Sequence, residues 1–423
     1  MESLTYRQLI TSNRNFRNLM WGQVISELGN WFNFIAGMGL VRLVSDASPA
    51  AAGIFFAVRV LPFAIFSPIA GTFVDRFSRR QVMIITDLAR VFVALAFLLV
   101  ESPNELWIAY VATAMLSTFG AFFDGAKNAA TPNLTGKEGL LAGTALMFST
   151  RFLLMAIGSA LGGWAAAVFG YKAAFLINAA SFLVSAYTVW LIPEEATRDA
   201  ETADRMAGKA PKESFLTELR EGFRYTIQNH FAFTILVMNL IWATGGGAIN
   251  VIFERLGGVY FAGLEGWNPD VGVAMLWTAA GFGLGFGMLI AHRTERILDR
   301  NKSHVAFIGW TLIAHGVIFA VSGLVPTLVM FAVFAFVSRA VVGVEYAIQE
   351  TLFQRSLPDF IRGRISTLDR GAEMTVFGVS SYIASEAMYY ISPQLLTIIS
   401  GVLSAVAGVF WFVREKPDRA VNR

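Results

Sequence analysis

The stretch GTFVDRFSRRQ, residues 71–81, decides how this chain is read. It crowds Asp75, Arg76, Arg79 and Arg80 into six consecutive positions, between an apolar run from Ala50 to Ala70 and another from Val82 to Val100. A charge cluster between two runs of spanning length is the tight polar turn between two membrane helices.

The same alternation continues outward in both directions. Of 423 residues, 55% are hydrophobic and only 15% charged, too little charge to cover a soluble domain of this size. Twelve apolar runs of about twenty residues suit a hydrocarbon core roughly 30 Å thick. They fall at 19–43, 51–74, 81–100, 105–125, 140–168, 171–192, 231–254, 271–291, 304–323, 326–349, 366–389 and 392–413. The expected class is an all-α membrane protein with twelve transmembrane helices in two six-helix bundles. Residues 1–192 form the first bundle, 193–230 a linker and 231–423 the second.

The net charge of +3 is small, and the placement of the cations says more than their sum. Counting connections alternately from the N-terminus puts Arg7, Arg14, Arg17, Arg76, Arg79, Arg80, Arg293, Arg296 and Arg300 on one side, with most other cations. Arg42, Lys172 and Arg255 fall on the other. This bias predicts both termini and the linker in the cytoplasm, in an inner (cytoplasmic) membrane. It also turns the basic balance away from nucleic acid. The opening segment MESLTYRQLITSNRNFRN reads as a cytoplasmic tail entering a retained first helix. Cysteine is absent, which removes disulfides and thiolate metal sites.

Within the linker, Phe215, Leu219, Phe223 and Ile227 recur every fourth residue among Glu218, Arg220 and Arg224. That is an amphipathic helix for the membrane interface, although a partner-binding helix has the same pattern. Six runs, a linker and six runs is an architecture of secondary transporters, with the site near the midplane between halves.

Charges inside the runs are the functional candidates, since each is costly in lipid. In the first run Gln23, Ser26, Asn30, Asn33 and Gly37 form a polar stripe with Glu27 beside it. A partly desolvated Glu27 is suited to exchanging protons, or to a fixed pair with Arg90 or Arg151 at similar depth. Asp87 and Arg90 share a helix face and are expected to pair locally. Arg339 is suited to an anionic substrate, to balancing Glu27 or to a structural pair. Asp369, Arg370 and Glu373 are expected to open the eleventh helix, where acids suit the dipole. His315 is expected to be a hydrogen-bonded packing residue. The triplet Gly245–Gly247, followed by Asn250, reads equally as close packing or a flexible gate. Trp242 is a candidate to line an apolar substrate cavity. No phosphate loop, HExxH, nucleophile elbow or close His/Asp/Glu metal cluster occurs, so neither an ATP-driven pump nor an intramembrane enzyme is expected, and no cofactor or metal.

The stretch GTFVDRFSRR resembles the loop signature of the major facilitator superfamily, G-x-x-x-D-[R/K]-x-G-[R/K]-[R/K]. Gly71, Asp75, Arg76, Arg79 and Arg80 match, and Ser78 stands where glycine is usual. The resemblance implies a releasable cytoplasmic latch, with Asp124 the expected acid partner for the arginines. GQVISELGNWF (22–32), DLAR (87–90), IGSALGG (157–163), ELREGFRY (218–225) and IRGRIST (361–367) resemble the branch of macrolide and enterobactin exporters. Gly158, Gly162 and Gly163 resemble its antiporter motif, with Ser159 in place of proline, and Asn30 stands where the branch often carries an acid. The implied protein is a monomeric exporter of a small amphipathic drug or siderophore, coupled to protons and bathed in membrane lipid. A lysophospholipid flippase, or a receptor or scaffold built on the same fold, is the alternative.

Overall fold

Most helix starts are set by a short polar side chain just ahead of an apolar run, which accepts one of the orphan N–H groups of the first turn. In the computed structural model, which describes residues 5–74, 77–197 and 215–415, Thr5 and Gln8 form a capping box on α1 (Tyr6–Ser12). Asn13 then accepts from the Phe16 N–H at 2.9 Å and opens α2 (Arg14–Val44). After α3 (Pro49–Val74), Ser78 caps α4 (Arg79–Ala96) by accepting from the Gln81 N–H. The serine that departs from the family signature is therefore the start signal of the next helix.

The long helix α5 (Leu106–Trp190) is three helical segments, 106–135, 137–169 and 171–190. Gly136 and Gly170 divide them, with φ of 66° and 77°, a left-handed conformation that only glycine adopts cheaply. Then come α6 (Phe215–Gln228), α7 (His230–Arg255), α8 (Phe261–Glu265), α9 (Pro269–Asn301) and α10 (His304–Ser322). The last three are α11 (Leu328–Ser356), α12 (Asp359–Ala387) and α13 (Pro393–Arg414). Asn229, Asn268, Thr327 and Ser392 cap α7, α9, α11 and α13.

No strand occurs among the described residues, and nine stretches there are long and apolar enough to cross a membrane. One of them, Glu138–Trp190, holds two segments. Helices α2 and α12 have spanning length, 31 and 29 residues, with more polar faces. The twelve expected crossings are thus all helical. One boundary needs correction: α12 starts at Asp359 rather than near 366. The polar stretch DFIRGRIST is already helix, so Asp369, Arg370 and Glu373 do not open it. Asp369 lies about 15 Å along it at 1.5 Å per residue.

The chain forms two compact units, Met1–Asp46 with Pro62–Phe215, and Ala47–Leu61 with Leu216–Arg423. Compared with the expected bundles, residues 47–61 group with the second. In the first unit α2 and α4 pack along α5 around a core that includes Phe16, Leu19, Met83 and Val189. In the second, α7 packs on α12 and α13, α10 on α11 and α13, and α9 on α11. Trp411 is wholly buried there, its Nε1 donating to the Val305 carbonyl at 2.8 Å. Arg364 of α12 pairs with Glu221 of α6, while Phe223 and Ile227, one turn apart on α6, stay exposed.

Candidate functional site

In the first unit, glycines bring α2 against α5. A Cβ on Gly22 would lie 2.4 Å from the Thr188 hydroxyl, and one on Gly29 2.1 Å from that of Ser181. On the middle segment of α5, Gly158 faces Trp31, Gly162 faces the backbone of Trp31 and Phe32, and Gly163 is buried. Gly158 and Gly162 are thus part of the surface on which α2 rests. Held this way, α2 buries Gln23, Ser26 and Asn33, and Gln23 Nε2 donates to the Met147 carbonyl at 3.4 Å.

Glu27 is half-buried and accepts from Asn30 Nδ2 at 3.4 Å. Neither expected partner reaches it, and no ion pair to it is found among the described residues. Arg90 is bound to Asp87, as the i,i+3 spacing predicts, with its guanidinium 4.6 Å from the Phe123 ring and 4.5 Å from that of Phe182. Two aromatic faces and a local carboxylate satisfy it more cheaply than a reach to another helix. Arg151 is exposed and acts electrostatically on Asp124.

Asp124 itself binds Lys127 at 2.6 Å, one turn along the same helix. Its expected pairing with Arg76 lies outside the described residues. Arg79 donates to the carbonyls of Ala129 and Thr197, at 3.0 and 2.9 Å, and Arg80 to that of Trp190 at 2.6 Å. The carbonyls of Trp190 and Thr197 end their helices and have no intrahelical donor, which makes them natural partners for an arginine. Gly71 is exposed, and a Cβ there would meet nothing within 4 Å among the described residues. Asp75 and Arg76 lie outside the described residues. Asp87, Arg90, Asp124 and Lys127 form two balanced pairs that feel one another across α4 and α5.

In the second unit α7 runs unbroken through its glycine triplet. A Cβ on Gly245 would lie 2.4 Å from the Ser400 carbonyl, and one on Gly247 2.2 Å from that of Phe377. The triplet is a close contact with α13 and α12. Asn250 locks the same seam, donating to the Gly247 carbonyl at 3.2 Å and to Ser381 Oγ at 3.1 Å. Trp242 lies 6.4 Å from both Phe377 and His315, ring to ring. His315 is hydrogen-bonded through Nδ1 to Ser338 Oγ at 2.7 Å, the packing role its isolation suggests. Arg339 is buried, 6.0 Å from the Phe319 ring.

Deeper along α11 and α12 lies a polar seam. Asn239 of α7 donates to Asp369 Oδ2 at 2.9 Å and accepts from Gln349 Nε2 at 3.0 Å. Arg370 donates to Glu373 Oε2 at 3.2 Å and to the Tyr346 hydroxyl at 3.0 Å. Glu345, a turn before Gln349, is buried and feels Glu373. Lys127, Asn239, Glu345 and Gln349 have no place in the sequence reading of the site. Lys127, Glu345 and Gln349 sit near or just beyond the end of an expected run, where a polar residue looks interfacial until the helix is seen to continue, whereas Asn239 lies eight residues inside its run. A further difference is that Glu295, Asp299 and His304 converge to within 4.8 Å of one another, where no close metal cluster was expected. The left-handed turn at Lys302 folds His304 back onto Asp299, and Arg355 engages Glu295 at 2.9 Å.

A family model described as Major Facilitator Superfamily matches residues 19–368. The uncharacterized MFS-type transporter YfiS of Bacillus subtilis strain 168 is 26% identical over 280 residues, a match spanning 65% of each chain. Macrolide efflux protein A of Streptococcus pyogenes is 23% identical over 359 residues, 84% of each chain. Among solved structures, an inward-facing, unoccupied bacterial homolog of the human lysosomal transporter Spinster superposes with a TM-score of 0.74. That match is 14% identical and covers 96% of this chain and 98% of the other, a likeness of fold.

Proposed function

We propose, on the ground that this chain belongs to the Major Facilitator Superfamily, that it exports an amphipathic organic molecule, a drug or siderophore, in exchange for protons by alternating access. The protein is an integral membrane transporter rather than an enzyme. Export is supported by the relative named for macrolide efflux. The bias of cations toward alternate connections supports an inner-membrane setting with both termini cytoplasmic.

The observation that carries proton exchange is Glu27. It is a half-buried carboxylate on a spanning helix, held by one amide and by no cation among the described residues. An ionisable side chain on a spanning helix is costly in lipid and is a functional candidate by default. Arg339, buried beside an aromatic ring with no acid bound to it among the described residues, is the candidate contact for an anionic group of the substrate.

The test uses erythromycin accumulation in proteoliposomes under an imposed pH gradient. Glu27→Gln is expected to insert and remain monodisperse in detergent while losing gradient-driven accumulation. Accumulation at the wild-type rate would remove Glu27 from the coupling, and wild-type flux indifferent to the gradient would remove proton exchange altogether.

A further inference from the structure

Three buried carboxyl groups line the seam of α11 and α12 inside the second unit, and one half-exposed guanidinium, that of Arg370, is bound to one of them. Glu345 on α11 is 2% exposed, and Asp369 and Glu373 on α12 are 7% and 5% exposed. Glu345 and Gln349 share one face of α11, Asp369 and Glu373 share one face of α12, and Asn239 of α7 joins Gln349 to Asp369. Arg370 is bound to Glu373. Two carboxyl oxygens, Glu345 Oε1 and Asp369 Oδ1, are buried with no hydrogen-bond partner.

Among the described residues, no cation other than Arg370 is bound to these acids. Glu350 lies at the edge, accepting from Gln354 Nε2 at 2.6 Å, and adds negative charge. Tyr346 contributes a neutral hydroxyl to Arg370. Arg339, on the same helix as Glu345, lies against Phe319 and acts on His315. From α9, Glu295 is taken up by Arg355. Three buried carboxylates, of which only Glu373 is bound to a guanidinium, are too costly in an apolar bundle for all to stay ionised. The cheapest compensation is a hydrogen on an oxygen that now has none, which turns a bare acceptor into a donor. A metal ion suits the group less well. Among the described residues the only trio of such ligands converging to within 4.8 Å is Glu295, Asp299 and His304.

We propose that Glu345, with Asp369 and Glu373, forms a proton-binding site inside the second unit that is loaded and emptied during transport. This rests on the proton-exchange reading above and adds a second site to it, separate from Glu27.

The test is infrared titration of the purified full-length protein, followed by erythromycin flux in proteoliposomes. A protonated-carboxyl band that titrates is expected in the wild type and lost in Glu345→Gln, whose gradient-driven flux falls at least tenfold while counterflow of erythromycin persists. Asp369→Asn is expected to diminish the same band, and it decides the matter if Glu345→Gln is not monodisperse. Absence of the band from the wild type, or its persistence at full strength in both variants, overturns the site. Wild-type flux that ignores the pH gradient, with the band behaving as expected, overturns the coupling instead, so the two failures are distinct.

Discussion

At the scale of single residues, the first unit shows how a membrane helix keeps a charge. Asp87 is fully buried and Arg90 nearly so, and each is neutralised by the other at one-turn spacing. Removing one member leaves the other as an uncompensated buried ion, which costs about 3–5 kcal/mol, whereas replacing both with neutral groups is often tolerated. Asp87→Asn and Arg90→Met are therefore expected each to lower the melting temperature in detergent sharply. The double variant should recover most of the loss. Losses that simply add in the double variant would show that the two groups are not coupled. The sequence made this pair legible because partners three apart on one helix need no tertiary information. It could not show that Glu27 stands apart from Arg90 and Arg151. That depends on how α2 and α5 are rotated, which the glycines at 22, 29, 158 and 162 decide only in three dimensions.

At the scale of helices, the glycines sort into two kinds that look alike in sequence. Gly247 brings α7 so close to α12 that a methyl group would strike the Phe377 carbonyl, whereas a methyl group on Gly71, near the end of α3, would meet nothing within 4 Å among the described residues. Gly247→Ala is expected to cost about 1–3 kcal/mol through overpacking. Gly71→Ala is expected to be neutral or stabilising by up to about 1 kcal/mol through helix propensity. Thermal unfolding of the two variants in detergent checks the contrast, and equal losses would contradict it. If Gly71→Ala keeps its stability but transports poorly, the signature glycine matters for a step of the cycle rather than for this packing. Helix number was legible because apolar length reports it directly. Helix ends were not, since α11 and α12 run on through polar residues until Pro358, and so Glu345 and Asp369 lie deeper than the hydropathy pattern suggests.

At the scale of the whole molecule, the division into units does not follow the linker alone. Residues 47–61, from the loop before α3 through its first half, belong with the second unit. Gly53 of that half sits against Ser385, Leu61 lies against Gly378, and Arg255 at the end of α7 donates to the Ala47 carbonyl. Side chains of α12 that face these residues lack their cover in a fragment beginning at 216. Such a fragment, expressed alone, exposes the tightly packed small-residue surface that α3 fills and leaves polar groups without partners in lipid. Residues 216–423 on their own are therefore expected to aggregate on detergent extraction, and coexpression with residues 1–215 is expected to restore a monodisperse complex. Size-exclusion chromatography distinguishes the outcomes. A fragment that is monodisperse by itself would mean that residues 47–61 are dispensable to the second unit. The change of unit falls at Pro62, where proline removes a backbone hydrogen bond from the interior of α3. The helix thus lacks one of its own hydrogen bonds at the point where its two halves answer to different partners, as it does again at Pro68.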